Sequence, residues 1–139
     1  MPVLLNPYLT LDGTAREAMT LYQSVFGGEL SVMTFGDMGA EGDLAAKVMH
    51  AHLATPDGLT LMASDIPPGE VVEPGSTVRV SLSGDDEDRL RGWFDGLSQG
   101  GEVHVPLALQ AWGDVFGQCA DRFGIIWLVN IAVEGGQPG

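Results

Sequence analysis

The chain has 139 residues, of which 45% are hydrophobic and 18% charged, a composition typical of one globular domain with a single core. Its formal net charge of -13 argues against a nucleic-acid partner, because the protein would repel phosphate backbones. With Cys119 as the single cysteine, no internal disulfide and no cysteine metal cluster can form. No segment reaches the roughly 20 apolar residues of a membrane span, and the N-terminus shows no basic leader. These features predict a cytoplasmic protein with no membrane association.

The first half of the chain follows a β-α-β-β-β pattern. A strand-like run, LLNPYLTL, leads into AREAMTLYQSVF, where apolar residues recur at helical spacing. Thr14, with Glu17 three residues later, predicts a capping box at the start of this helix. The runs ELSVMTFG, KVMHAHLAT and LTLMASD, separated by turn-forming residues, predict three further strands.

The second half repeats this pattern. After the proline- and glycine-rich IPPGEVVEPGS, the run STVRVSLSG predicts a strand and DDEDRLRGWFDGLSQ a helix. Three strand-like runs follow: EVHVPLALQAWG, VFGQCADRFG and IIWLVNIAV. The motif GGEV at 100–103 repeats GGEL at 27–30, at an offset of 73 residues. We therefore predict a single α+β domain over residues 1–139, with module one at about 3–66, a linker at about 67–75 and module two at about 76–133.

One helix per module can cover only one face of its sheet. We therefore expect two mixed sheets that curve into cups, each with its helix outside and its uncovered face around a cavity or a partner subunit. Strand alternation predicts which residues face the cups. They are Asn6, Tyr8 and Thr10 on the first strand, Thr60, Met62 and Ser64 on the fourth, Thr77, Arg79 and Ser81 on the fifth, and Ile126, Leu128 and Asn130 on the last.

The blocks NPYLTLDGTAREAMTLYQSVFGGEL, MTFGDM, KVMHAHL and LMASD, with the closing WG, FG and DRFGIIWLVN, point to a known family. Over about residues 3 to 133 the chain resembles the PhnB-like branch of the vicinal oxygen chelate superfamily, which includes glyoxalase I, extradiol dioxygenases and bleomycin- and fosfomycin-resistance proteins. The resemblance implies paired β-α-β-β-β modules, a homodimer and a small organic ligand in each cup.

The metal enzymes of this superfamily bind a divalent cation through His and Glu side chains on the first and last strands of the modules. None of the predicted cup-facing residues on those strands is His, Glu or Asp, and Arg79 would oppose a cation. The sequence therefore predicts no standard metal site and no cofactor. A demethylubiquinone methyltransferase label carried by members of this branch is not supported either, because FGDMGAEGD has no following helix to form a methyl-donor nucleotide site.

Two histidines, His50 and His52, are predicted to face the first cup together with Val48. They are interpreted either as polar wall residues, as contacts or acid-base groups for an organic ligand, or as metal ligands. The third interpretation needs a further ligand, for which the candidates are Asp37, Asp114 and His104. For both aspartates, in FGDM and AWGD, the expected role is a solvated turn, and the alternative is to hold a cationic ligand over the mouth of a cup.

Aromatic residues of the second half divide by position. Strand parity places Trp127 in the core, whereas Trp112 and Phe116 lie nearer the loops and are candidates for the cavity wall. Cys119 is expected to be a buried hydrophobic residue, because no base can be assigned to activate it.

The sequence thus predicts a small-molecule-binding protein without the standard metal. Its expected ligand-binding residues are His50, His52, Tyr8, Arg79, Asn130, Trp112 and Phe116. The alternative is a lyase, isomerase or dioxygenase-like enzyme in which His50 and His52 perform acid-base catalysis or hold a displaced metal ion.

Overall fold

The structure, a computed structural model, describes residues 3–133. Residues 1–2 and 134–139, which belong to the expected single domain, lie outside this range. The chain divides into two compact units, the first ending at Glu73 and the second beginning at Pro74. Each unit contains one helix and one four-stranded mixed sheet in the order β-α-β-β-β, so the predicted α+β class and the repeated module are confirmed.

Module one contains the strands β1 (Tyr8–Leu11), β2 (Glu29–Thr34), β3 (Val48–Ala54) and β4 (Thr60–Asp65), with α1 (Ala15–Phe26) between β1 and β2. Two short 3-10 segments, Gly36–Met38 and Gly42–Ala46, connect β2 to β3. The order across the sheet is β1-β4-β3-β2. β1 pairs with β4 in parallel, and the other pairs are antiparallel.

Module two contains β5 (Val80–Gly84), α2 (Glu87–Ser98), β6 (Glu102–Leu109), β7 (Val115–Ala120) and β8 (Ile126–Ile131). Its sheet has the equivalent order, β5-β8-β7-β6, again with the first and last strands parallel. β1 and β5 are shorter than their strand-like runs predicted, so that Asn6, Thr77 and Arg79 precede the strands.

Each helix packs on all four strands of its own sheet. In module one the apolar stripe of α1 buries Met19 and Tyr22 completely, and in module two Leu97 of α2 is equally buried. Burial of these side chains against the sheet, at roughly 1.5–3 kcal/mol each, stabilises each module. Of the helices in residues 3–133, none has the length and hydrophobicity that a membrane crossing requires.

The repeated Gly-Gly-Glu motif forms the corner between the helix and the next strand in both modules. Its first glycine has a positive φ, 77° at Gly27 and 74° at Gly100, where residues with a Cβ are strained. A Cβ on the second glycine, Gly28 or Gly101, would collide with the carbonyl oxygen at the end of the neighbouring strand. The repeat is therefore a backbone requirement of the corner.

The start of α1 differs from the prediction. The Thr14 side chain makes no capping hydrogen bond, so the expected capping box with Glu17 is wrong. A carboxylate from the sheet takes this role: Asp65, at the end of β4, accepts hydrogen bonds from the amides of Ala15 (2.9 Å) and Val48 (2.7 Å). Because a helix N-terminus carries unpaired amides and partial positive charge, this buried carboxylate links α1, β3 and β4.

Strict alternation also fails at the start of β3. The pairing register shifts between Met33 and Thr34, which pair with His50 and Val48 and leave Met49 as an extra residue. This irregularity buries Val48, contrary to the prediction that it faces the cup, and leaves Met49 half-buried. His50 and His52 keep the predicted alternation with the buried Ala51 and Leu53.

Candidate functional site

The face of sheet one that α1 leaves uncovered, called here the helix-free face, carries a row of side chains across all four strands. The registers align Tyr8 of β1 with Met62 of β4, Met62 with His52 of β3, and His52 with Ser31 of β2. Tyr8 is 49% exposed, whereas Met62 and His52 are half-buried. This row is a polar and apolar surface that a small molecule can contact.

Tyr8 and His50 form a hydrogen-bonded pair on this face. The Tyr8 hydroxyl lies 3.1 Å from His50 Nδ1, and their ring centroids are 5.7 Å apart. If the hydroxyl donates, the neutral imidazole carries its proton on Nε2 and presents a donor outward. Within the part of the chain that the structure describes, the His52 ring has no hydrogen-bond partner and is available to a ligand.

Asp37, the candidate metal ligand in module one, is held within its own turn. Asp37 accepts a hydrogen bond from the Thr34 amide at 2.8 Å, and hydrogen bonds from Thr34 hold the pKa of its carboxyl below the usual value. Among residues 3–133, no three His, Cys, Asp or Glu side chains are grouped so that they could hold a metal ion. The described residues therefore do not fit the divalent cation that the resemblance implies.

The helix-free face of sheet two has a different set of side chains at equivalent positions. Phe116 and Gln118 alternate along β7 and lie opposite Asn130 and Leu128 of β8. Trp112 packs edge-on against Phe116, with centroids 5.9 Å apart at 64°. Trp112 is 61% exposed, so this aromatic pair is an accessible apolar surface.

Asp114, which lies between Trp112 and Phe116 in the sequence, is buried. It is only 2% exposed, so the expected solvated turn is wrong for this residue. One carboxylate oxygen accepts a hydrogen bond from Asn130 Nδ2 at 2.9 Å, and the other, Oδ1, has no partner among the residues that the structure describes. Because a buried carboxylate oxygen needs a donor, Asp114 holds the Asn130 amide and still has unused acceptor capacity.

Arg79 belongs to a chain of three side chains that the sequence did not predict. Its Nη1 donates to Gln118 Oε1 at 3.2 Å, and Gln118 Nε2 lies 2.8 Å from His104 Nδ1. These residues come from the segment before β5, from β7 and from β6. Strand parity alone could have placed Gln118 on this face, but the register shifts in β6 that bring His104 to it have no sequence signal.

Two residues of β7 and β8 are structural. Trp127 is completely buried, as predicted, and its indole Nε1 donates to Asp121 at 2.9 Å. Cys119 is also completely buried. Burial, with a smaller contribution from the Asp121 charge, raises the pKa of the Cys119 thiol to about 11, so the thiol stays protonated at neutral pH and is no nucleophile.

The seven predicted ligand-binding residues thus divide between the two modules. In module one the structure brings together Tyr8, His50 and His52. In module two it brings together Asn130, Phe116 and Trp112. Arg79 is connected to β7, the strand of Phe116, by its hydrogen bond to Gln118.

Comparison with known proteins places this architecture in a family. The protein YjdN of Escherichia coli (strain K12) is 28% identical over 147 aligned positions, covering 96% of this chain and 97% of YjdN. Protein PA1353 from Pseudomonas aeruginosa, a crystal structure, superposes with a TM-score of 0.84 at 36% identity, covering 94% of this chain and 98% of that one.

A PhnB protein from Bacillus cereus has the same fold, with a TM-score of 0.67 at 24% identity over 94% of this chain and 100% of its own. The family model described as the Glyoxalase/Bleomycin resistance protein/Dioxygenase superfamily matches residues 5–129. The chain therefore belongs to the glyoxalase/bleomycin resistance protein/dioxygenase superfamily.

Proposed function

We propose that this protein binds a small organic ligand on the helix-free faces of its sheets, without the standard metal of its superfamily. The observation that supports this function most directly is that polar side chains on these faces are held by side-chain hydrogen bonds. On sheet one Tyr8 is hydrogen-bonded to His50. On sheet two Gln118 is hydrogen-bonded to both Arg79 and His104. Such ordering reduces the entropy that a ligand must overcome on binding.

Recognition on sheet one combines an apolar floor with directional polar groups. Met62 lies between Tyr8 and His52, so that a ligand contacting Met62 can also reach a phenol and an imidazole. Each hydrogen bond made there contributes about 0.5–1.5 kcal/mol net. Affinity then depends on apolar contact, and selectivity depends on the arrangement of donors and acceptors.

The test is a fragment screen by NMR with the ¹⁵N-labelled protein, followed by titration of the hits against variants. We expect hits whose shifts cluster on β1, β3 and β4 of sheet one or on β7 and β8 of sheet two, and we expect binding of the sheet-one hits to weaken in His52→Ala. Arg91→Ala is the matched control, because Arg91 is on α2 and pairs there with Glu87 at 2.8 Å. A screen that gives no hit, or sheet-one hits equally affected by both variants, contradicts the proposed function.

A second candidate function is acid-base catalysis by the Tyr8–His50 pair. The 3.1 Å contact is the specific observation in its favour, because a hydrogen-bonded phenol and imidazole can move a proton to or from a bound molecule. Each hit is incubated with wild type, His50→Gln and Tyr8→Phe, and its chemical change is followed by NMR. Conversion by wild type that both variants lose identifies an enzyme; no conversion of any hit leaves binding as the activity.

Two further properties are proposed with this function. We infer a homodimer, supported by membership of the superfamily, and light scattering over a range of protein concentrations would test it. We also infer a cytoplasmic location, supported by a single cysteine that is buried as a thiol. Fractionation of cells that produce the protein, with activity markers for each compartment, tests the location.

A further inference from the structure

The two hydrogen bonds that link Arg79, Gln118 and His104 have a fixed donor-to-acceptor direction. A guanidinium can only donate, so Gln118 must present Oε1 to Arg79 and its NH₂ group to His104. The amide at 2.8 Å then donates to Nδ1 of His104, which makes that nitrogen the acceptor. The neutral imidazole therefore carries its proton on Nε2. Arg79 and His104 both have donors left for a further partner.

Within residues 3–133, no acidic group neutralises the charge of Arg79. Its hydrogen bonds are to the carbonyl oxygen of Ser76 and to Gln118 Oε1, both neutral acceptors. No carboxylate pairs with it in the part of the chain that the structure describes. This is notable in a protein with 19 acidic and 6 basic residues, in which a basic side chain has many potential partners.

An apolar surface lies next to these donors on the same face of sheet two. Phe116 and Gln118 are two residues apart on β7 and face the same side, about 7 Å apart along the strand. Trp112 contacts Phe116 and extends the surface, and Leu128 lies opposite Gln118. A molecule on this face therefore meets donors at one end and aromatic rings at the other.

From this juxtaposition we propose that sheet two binds a monocarboxylic acid with a compact apolar body. The carboxylate accepts hydrogen bonds from Arg79, which the Gln118 amide orients, and the apolar part packs on Phe116 and Trp112. A guanidinium matches the two oxygens of a carboxylate better than any neutral group. This inference rests on the proposed function and specifies the class of ligand.

The experiment uses 3-phenylpropanoate as the probe and its neutral analogue 3-phenylpropanamide as the matched ligand, both titrated by NMR. We expect the acid to bind about tenfold more tightly than the amide. We also expect Arg79→Met to lower the affinity for the acid by a similar factor. Trp112→Ala, at an exposed position, weakens binding of the acid about 3- to 10-fold. Arg91→Met leaves it unchanged, and thermal melts confirm that each variant is folded.

Three results of the titrations would overturn the inference, and so would a complete lack of binding. The three results are equal binding of acid and amide, wild-type affinity in Arg79→Met, and binding of acetate or inorganic phosphate as tight as that of 3-phenylpropanoate. The proposed function fails separately: it survives if screened molecules bind through Tyr8 and His52, and it fails if no screened molecule binds at all.

Discussion

The two modules share a framework and differ in the side chains that it displays. Leu11 pairs with Asp65 in sheet one, and Gly84, 73 residues after Leu11, pairs with Ile131 in sheet two. By the same registers, His52 of module one corresponds to Gln118 of module two. The corner glycines, which the backbone requires, recur in both halves, whereas the hydrogen-bonding residues of the two faces do not. A repeated backbone thus supports two chemically distinct faces.

The strongest test of the shared framework is at its corners. Gly28→Ala is expected to destabilise the protein by about 3–4 kcal/mol, because the new Cβ collides with the Ala54 carbonyl oxygen and the residue has a positive φ of 98°. The equivalent Gly101→Ala meets the Ala120 carbonyl oxygen without a positive φ and is expected to be slightly less damaging.

Chemical denaturation measures the free energy of unfolding of both corner variants, Gly28→Ala and Gly101→Ala. Gly13→Ala is the control, since Gly13 has a positive φ of 78° but open space around it, and it should lose about 1 kcal/mol. Equal losses in Gly13→Ala and Gly28→Ala would show that the backbone conformation alone, and not the close approach of the strands, explains the repeat.

The two helix starts differ, and the difference is measurable. Asp65→Ala leaves the amides of Ala15 and Val48 without their acceptor, and the latter is buried, so a loss of about 3 kcal/mol is expected. In module two the cap is local: Asp86, directly before α2, accepts a hydrogen bond from the Arg89 amide at 3.3 Å at an exposed site. Asp86→Ala should lose only about 1 kcal/mol.

Urea unfolding, monitored by circular dichroism, measures the loss in free energy of unfolding for Asp65→Ala and for Asp86→Ala. A loss in Asp86→Ala as large as that in Asp65→Ala would mean that local capping, and not the long-range link to the sheet, determines the contribution of each aspartate.

Module two alone contains the buried Asp114–Asn130 pair. Asn130→Ala removes the donor at 2.9 Å and leaves the buried carboxylate without a partner, which should destabilise the protein by about 2–3 kcal/mol. In the double variant Asn130→Ala with Asp114→Ala, the carboxylate is also gone and part of this loss should return. Thermal unfolding of the two variants tests the pair; identical stabilities would show that Asp114 is not the source of the loss.

The smallest effect concerns Cys119, which replaces a leucine of module one at the corresponding place, Leu53. Its pKa is raised to about 11 from 9.0, so the folded state disfavours the thiolate. The stability that this thiol contributes is therefore complete below pH 9.0 and is lost as the pH rises towards about 11. Unfolding of wild type and Cys119→Ala at several pH values should show a difference that narrows over this range; a constant difference would contradict the shift.

Local patterns in the sequence predicted the two modules and the strand faces on which several candidate site residues lie. The helical stripe predicted α1 with its observed bounds, and alternation placed His50, His52 and Trp127 on the observed faces. The failures have a common cause. The burial of Val48, the capping of α1 by Asp65 and the approach of His104 to Gln118 all depend on registers between strands or on contacts distant in sequence.

The parallel pairing of first and last strands has a consequence for synthesis on the ribosome. Sheet one joins β1 to β4 and, among the described residues, contains no strand from beyond Asp65, so all its strands have been made while the second half is still being translated. Until β4 emerges, however, β1 has no neighbour in its sheet. The edge of the incomplete sheet is therefore unpaired, and open to aggregation, from the synthesis of β1 until Asp65 is made. The same holds in module two from the synthesis of β5 until β8 is made.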